Sequence, residues 1–201
     1  LRVEAEVIRD IALSASGLIH HQIGGPSVFP PQPPGITDLS RGNLIWVNAT
    51  GPNRYRRGLY TFWKRTSPYP ALSIFDVPSF ETTTVRRSRT NTPTQALTTL
   101  NDEVFVEAAQ ALALRLLKEV PGDDDARLRR GFRLCVSREP DGFERDTLAT
   151  FLKKEFDRYQ GDPAAAKALL PPAAPPGVAP ARFAAWFGLS RVLLNMDETI
   201  T

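Results

Sequence analysis

The chemistry-bearing residues of this chain are concentrated between Arg41 and Thr92. Nine basic residues fall there (Arg41, Arg54, Arg56, Arg57, Lys64, Arg65, Arg86, Arg87 and Arg89) against two acidic ones (Asp76 and Glu81), a local charge of +7. With 25 basic and 22 acidic residues in all, 16 and 20 remain for the rest of the chain, a balance of −4. Tyr55, Tyr60, Phe62, Trp63 and Tyr69 are interleaved with these arginines. Guanidinium forks beside aromatic faces suit sulfate, carboxylate or phosphate groups carried on a stackable body. Arg56, Arg57, Lys64, Arg65, Arg86, Arg87 and Arg89, with Tyr60 and Trp63, are therefore the candidate ligand-binding residues. Anionic (sulfated or acidic) polysaccharide or a partner domain is what this surface is expected to engage; single-stranded nucleic acid would satisfy the same chemistry but is not the expected partner. The competing reading has the same arginines pairing with carboxylates and backbone carbonyls, holding in place an irregular segment that lacks its own ladder hydrogen bonds.

Other constellations carry less. His20-His21 are neighbours and point about 100° apart on a helix, so they do not converge on one metal. His-Glu-x-x-His, Gly-x-Ser-x-Gly and the phosphate-cradling loop spacing are absent, which leaves zinc-peptidase, α/β-hydrolase and nucleotide-hydrolase readings without a motif. A glycosidase needs two carboxylates across a cleft. Asp76 with Glu81 lies nearest the basic segment, and Glu6 with Asp10 sits one helical turn apart. A hydrolase or lyase acting through Asp76 or Glu81 is the rival reading to a binding module. Gly24-Gly25-Pro26-Ser27 reads as a chain reversal, since a helix C-terminus has the wrong dipole sign for an anion. Cys135 reads as a small core residue. A single cysteine excludes an intrachain disulfide and covalent haem attachment within these residues. No cofactor and no metal is expected.

The elements that must position these groups are mostly helices. At 201 residues, 42% hydrophobic and 23% charged, the chain can bury a core, and no apolar stretch approaches the roughly 20 residues needed to span a bilayer. Val3, Val7, Ile11, Ala15 and Leu18 predict a helix over 2–22, stopped by Gly24-Gly25-Pro26. Thr92-Pro93-Thr94-Gln95 is a capping-box start for a long helix to about Val120, on which Leu97, Leu100, Val104, Ala108, Leu112 and Leu116 form one face and Asn101-Asp102 marks a kink or second start. Leu128, Phe132 and Cys135 mark a helix after Asp123 to Asp125. Asp141 with Glu144 caps one carrying Leu148, Phe151, Leu152, Phe156 and Tyr159. Asp162-Pro163 starts a short helical stretch, and Ala181 to Met196 buries Phe183, Trp186, Phe187, Leu189 and Leu193. Between these, 24–91 is irregular, with Leu44 to Val47 and Leu59 to Trp63 predicted as a two-stranded ribbon. Pro171 to Pro180 is a proline- and alanine-rich mobile loop. The expected architecture is one mainly α domain over 1–201, a bundle of about six helices with a small β-ribbon.

The chain opens at Leu1 with no initiator methionine and a helix already under way, as a piece of a longer protein would. The ordered string of segments also resembles a known family. Its pieces are Gly24-Gly25-Pro26-Ser27-Val28 with Pro31-Gln32-Pro33, the run from Tyr55 to Thr66, Phe75-Asp76-Val77-Pro78, Val85-Arg86-Arg87, Arg89 to Pro93 with Gln95-Ala96-Leu97, Leu100-Asn101-Asp102, Leu193-Leu194-Asn195 and Asp197-Glu198. Together they resemble the C-terminal domain of unknown function of the planctomycete PSD-type proteins. Those are large secreted proteins that often also carry a cytochrome c-like domain. The resemblance implies an exported parent, haem on a different domain, upstream domains of the same polypeptide as partners, and a genomic setting rich in sulfatases and polysaccharide degradation. One stretch departs from the pattern. Where the family often shows an arginine and a cysteine around the glutamate, this chain has Phe80-Glu81-Thr82-Thr83, which removes cysteine chemistry there.

Overall fold

The structure is a computed structural model that describes residues 2–37, 45–172 and 174–201. Arg41 of the basic cluster and Leu44 of the first predicted strand lie outside the described residues, as do Leu1 and Ala173. The described residues form eight α-helices: α1 (Ala5–Ser16), α2 (Pro70–Ser73), α3 (Pro93–Asn101), α4 (Glu103–Glu119), α5 (Asp124–Val136), α6 (Gly142–Gly161), α7 (Pro163–Leu169) and α8 (Pro180–Asn195). The mainly α bundle expected from the periodicity is what forms.

The core is built on α4 and α8. Along α4, Val104, Phe105, Ala108, Ala109, Leu112, Ala113 and Leu116 are all buried, and α8 hides residues on every side because α4, α6 and α7 surround it. A fully buried leucine such as Leu112 or Leu189 stabilises by roughly 1.5–3 kcal/mol relative to an exposed one. Leu128, Phe132 and Cys135 close the core from α5, and Leu148 and Leu152 from α6.

Helix starts follow the capping chemistry in the sequence. Thr92 and Gln95 form a reciprocal capping box on α3, and Asp141 and Glu144 form one on α6. Asp102 accepts from the Val104 N–H at 3.1 Å and so begins a new helix instead of kinking the old one.

The first helix differs from expectation. It ends at Gly17, where a left-handed φ of 79° lets the Gly17 N–H reach the carbonyls of Leu13 and Ser14, well before Gly24. Its buried face is Ala5, Ile8, Arg9, Ala12, Leu13, Ala15 and Ser16. Val7 is exposed, so the stripe of larger apolar residues is rotated off the core. Ile8 and Leu13 carry the packing, with alanines and Arg9 filling the rest of the face toward α4.

No two-stranded ribbon forms among the described residues. The residues from Gly51 to Tyr55 and from Gly58 to Tyr60 wind into 3₁₀ turns. The two stretches also do not pair with each other, because residues 28–29 lie between them. Val28 exchanges backbone hydrogen bonds with Tyr60 and Phe62, both at 2.8 Å, while the Ala49 N–H donates to Phe29 at 2.7 Å. The extended contacts are isolated parallel bridges, His20 with Arg56 and Val28 with Thr61. His20-His21 therefore lies beyond the end of a helix, not on one.

The C-terminal segment is held by Arg2 on Asp197 at 2.8 Å and by Arg138. The Arg138 guanidinium donates to both carboxylates of a pair, to Glu144 at 2.7 and 2.8 Å and to Glu198 at 2.6 and 2.7 Å. Arg138, helped by the Asp141 N–H, holds the Glu144 carboxyl down from 4.5 to about 2, and Arg138 lowers Glu198 as well. A carboxyl depressed in the folded state stabilises above its unfolded value and stops doing so as pH falls through the folded one. The clasp is thus intact above about pH 4.5 and releases toward pH 2. Melting temperatures measured across this range should show Arg138→Gln destabilising at neutral pH, with its deficit against the wild type shrinking toward pH 2. A deficit that stays constant would sink this account. Burial pushes the Cys135 thiol up to about 12. It should be silent to a thiol reagent near ~pH 8, where free cysteine titrates, and react once guanidinium chloride unfolds the chain.

Candidate functional site

Two parts of the basic segment have different fates, decided by where α1 meets it. In the first part, residues 54–60 lie across α1: Arg56 is buried, Arg54 is half-buried, and Arg57 is exposed while pairing with Asp10. Arg9 of α1 is 4% exposed and donates from Nε to the Arg56 carbonyl at 3.3 Å and from Nη2 to the Arg54 carbonyl at 2.8 Å. Burial pulls Arg9 below the ordinary arginine range, with nearby acids including Asp10, Asp102 and Glu107 opposing the shift. Arg56 is 1% exposed. Its guanidinium donates to the carbonyls of Pro26 at 2.9 Å, Gln22 at 3.2 Å and Gly24, and lies 3.7 Å over the Tyr60 ring, whose hydroxyl accepts from the Gly24 N–H. Arg56 and Tyr60 thus serve as internal struts for the reversal at 22–26.

Asp10 takes the next turn. Its two oxygens accept from Arg57 Nε and from the Gly58 N–H, both at 2.7 Å. Gly58 lies so close to α1 that a β-carbon there would sit 2.6 Å from the Glu6 carbonyl oxygen. Arg54 closes the other edge, donating to Glu107 at 3.0 Å and to Glu103. Both carboxylates raise its pKa, Glu107 most.

The second part, 76–90, is an open loop with a tied base. Asp76 Oδ2 accepts from the Thr90 N–H at 2.7 Å and from its hydroxyl at 2.8 Å. The fully buried Gln95 completes the knot, donating to Thr90 Oγ1 at 3.0 Å and to the Ile74 carbonyl at 2.9 Å. One side chain therefore caps α3 and anchors the loop. Asp76 and Phe80 both have left-handed φ, 63° and 57°, a conformation that costs of order 1–3 kcal/mol for such residues and is found at functional sites. Phe80 stacks edge-on against Trp63 with ring centres 4.8 Å apart, so Trp63 supports the loop base.

An open groove of about 870 Å³ runs along this loop, lined by Glu4 and residues 84–90, including Arg86, Arg87 and Arg89. Arg87 is anchored to α1 through Glu6 at 2.8 Å and Glu4 at 3.0 Å, and Arg89 is 3.9 Å from Glu4. Arg86 is exposed and has no charged partner among the described residues. The same holds for Arg65, while Lys64 is half-buried. The nine candidate residues are therefore not one surface: Arg86, Arg87 and Arg89 line one groove, and Arg56 and Tyr60 lie in the strut region. Asp76 ties the loop shut, while Glu81 is exposed on it. No group of three or more His, Cys, Asp or Glu side chains that could hold a metal is found among the described residues.

The pairing of these arginines with helix carboxylates, the competing reading of the sequence, is met in part: Glu4, Glu6 and Asp10 receive Arg87 and Arg57. The signal for it is the acidic stripe made by Glu6 and Asp10 one turn apart on α1.

Residues 1–152, a span containing both parts of the basic segment, match the family model PSD1, described as a protein of unknown function (DUF1553). No curated protein and no solved structure matches the chain.

The Gly58 contact is testable. Gly58→Ala should lower stability by roughly 1–3 kcal/mol in denaturant unfolding, because the backbone of α1 cannot yield as a flexible side chain would. Leu59→Ala, at an exposed neighbour, should stay within about 0.5 kcal/mol. Equal effects at the two positions would contradict the packing described.

Proposed function

This chain belongs to the PSD1 (DUF1553) family of proteins of unknown function, and from its geometry we propose that it is a non-catalytic helical module engaging anionic polysaccharide along the groove at 84–90. The observation that carries this reading is the grouping of Arg86, Arg87 and Arg89 on one open groove, with Arg86 unpaired among the described residues. Charged, planar donors on a tied loop offer charge-assisted hydrogen bonds to successive anionic groups of a chain. The resemblance to secreted multidomain proteins supports an exported parent, with this module working beside upstream domains of the same polypeptide and with haem confined to another domain.

A purely architectural role is the second reading, favoured by the inward engagement of Arg54, Arg56, Arg57 and Arg87. Calorimetric titration with dextran sulfate and with polygalacturonate separates the two. Binding through exposed cations weakens steeply as salt rises past a Debye length of about 10 Å at 0.1 M. The double variant Arg86→Gln/Arg89→Gln should lose about tenfold or more in affinity, since each charge-assisted hydrogen bond contributes roughly 1.5–3 kcal/mol before screening. Affinity indifferent to both salt and the double variant, or absence of binding by wild type and Glu4→Gln alike, would assign the module to scaffolding.

A further inference from the structure

Glu4 is the one acidic residue lining the groove, and its placement there is unusual for its position in the chain. It is the N-cap of α1, where short side chains normally bond back to the first helical N–H groups. Glu4 makes no such bond. Its carboxylate turns outward instead, with Oε2 3.0 Å from Arg87 Nη1 and Oε1 3.9 Å from Arg89 Nη2. The two oxygens of one carboxylate thus span two guanidiniums.

Glu6 reaches the same Arg87 nitrogen at 2.8 Å, but the two acids are not equivalent. The Glu6 side chain is 19% exposed and the Glu4 side chain 43%. Glu6 already neutralises Arg87 and anchors the loop to α1. Glu4 is a second carboxylate on a guanidinium that Glu6 already holds, and its other cation, Arg89, lies at the longer distance of 3.9 Å. An exposed pair of this kind holds weakly.

We infer that Glu4 is a resident counter-ion, occupying the position in the groove that an anionic group of the ligand takes when it binds. The inference rests on the groove reading above and adds a mechanism to it. Binding swings Glu4 out toward solvent, while Glu6 keeps Arg87 and the loop in place. The incoming group must present two oxygens across Arg87 and Arg89 as Glu4 does, which is the chemistry of a carboxylate or a sulfate ester. Glu4 thereby excludes weak single-oxygen ligands and tunes affinity for the rest.

The test compares Glu4→Gln, Glu6→Gln and wild-type protein, each titrated calorimetrically with polygalacturonate as the carboxylate probe and dextran sulfate as the sulfate probe. Asp157→Asn on α6 supplies the same change in net charge outside the groove. Glu4→Gln should bind about 2- to 5-fold more tightly than wild type, the range expected for removing an exposed ion pair, and Glu6→Gln should bind more weakly because the loop loses its anchor. The probe that gains more identifies the anionic group the groove prefers. Tighter binding by Glu4→Gln alone, or binding by this variant where the wild type is silent, supports the counter-ion role. Wild-type binding that Glu4→Gln leaves equal or weaker, or a gain matched by Asp157→Asn, overturns that role and leaves the groove reading standing. Silence of both wild type and Glu4→Gln overturns both.

Discussion

Peptide carbonyls that lack a ladder partner must find a donor when they are buried, and in this protein the donor is repeatedly an arginine. The described residues between 18 and 62 make few regular backbone bonds, so their carbonyls at 22, 24, 26, 54 and 56 are met by the guanidiniums of Arg9 and Arg56. A guanidinium suits this task better than an ammonium. Its donors are fixed in a plane, and it is more weakly hydrated, so burying it costs less. The two arginines interlock, since Arg9 holds the backbone of the residue whose own side chain holds 22–26. Removing either would strand several carbonyls together, which makes the pair a condition for the segment to have a shape.

The same device closes helix ends. Arg115 donates to the carbonyls of Ser14 and Ala15 at the end of α1, Arg127 to those of Leu116 and Val120 at the end of α4, and Arg191 to that of Leu100 in the last turn of α3. Helix C-termini present unsatisfied carbonyls and a partial negative charge, so a cation serves both needs. A basic composition here is thus largely a consequence of architecture, and only the arginines left over from it are free to meet a ligand. That is why a charge count over 41–92 overstates the available surface.

What was legible in the sequence was local. Capping boxes at Thr92 and Asp141, the N-cap at Asp102 and the apolar periods of α4, α5 and α8 depend on neighbours three or four residues away, and each appears where the residues place it. What was not legible depended on partners distant along the chain. The buried face of α1 contains Arg9 and several alanines, so a search for large apolar residues selects Val7 instead. The ribbon failed because residue 28 inserts between its two supposed strands, carrying Phe29 into the rings of Trp46 and Phe62. The split of the arginines into struts and groove is set by α1, through acids at 4, 6 and 10 whose partners lie at 57, 87 and 89.

The placement of the groove follows from this division. A strut must be surrounded, and Arg56 and Gly58 are buried between α1 and the reversal at 22–26. Residues 77–89 are tied at their base, by Asp76, Thr90 and Gln95, and at interior points by Phe80 on Trp63 and by Arg87 on α1. Between those ties the backbone makes few bonds of its own and the side chains of Val85 and Arg86 stand in solvent. Such a loop keeps its position through these anchors, and because Gln95 is also the capping-box residue of α3, the base shares the stability of the helical core. The frame and the groove are therefore one construction: the helix that begins at Thr92 cannot form its capping box without also fixing where the loop ends.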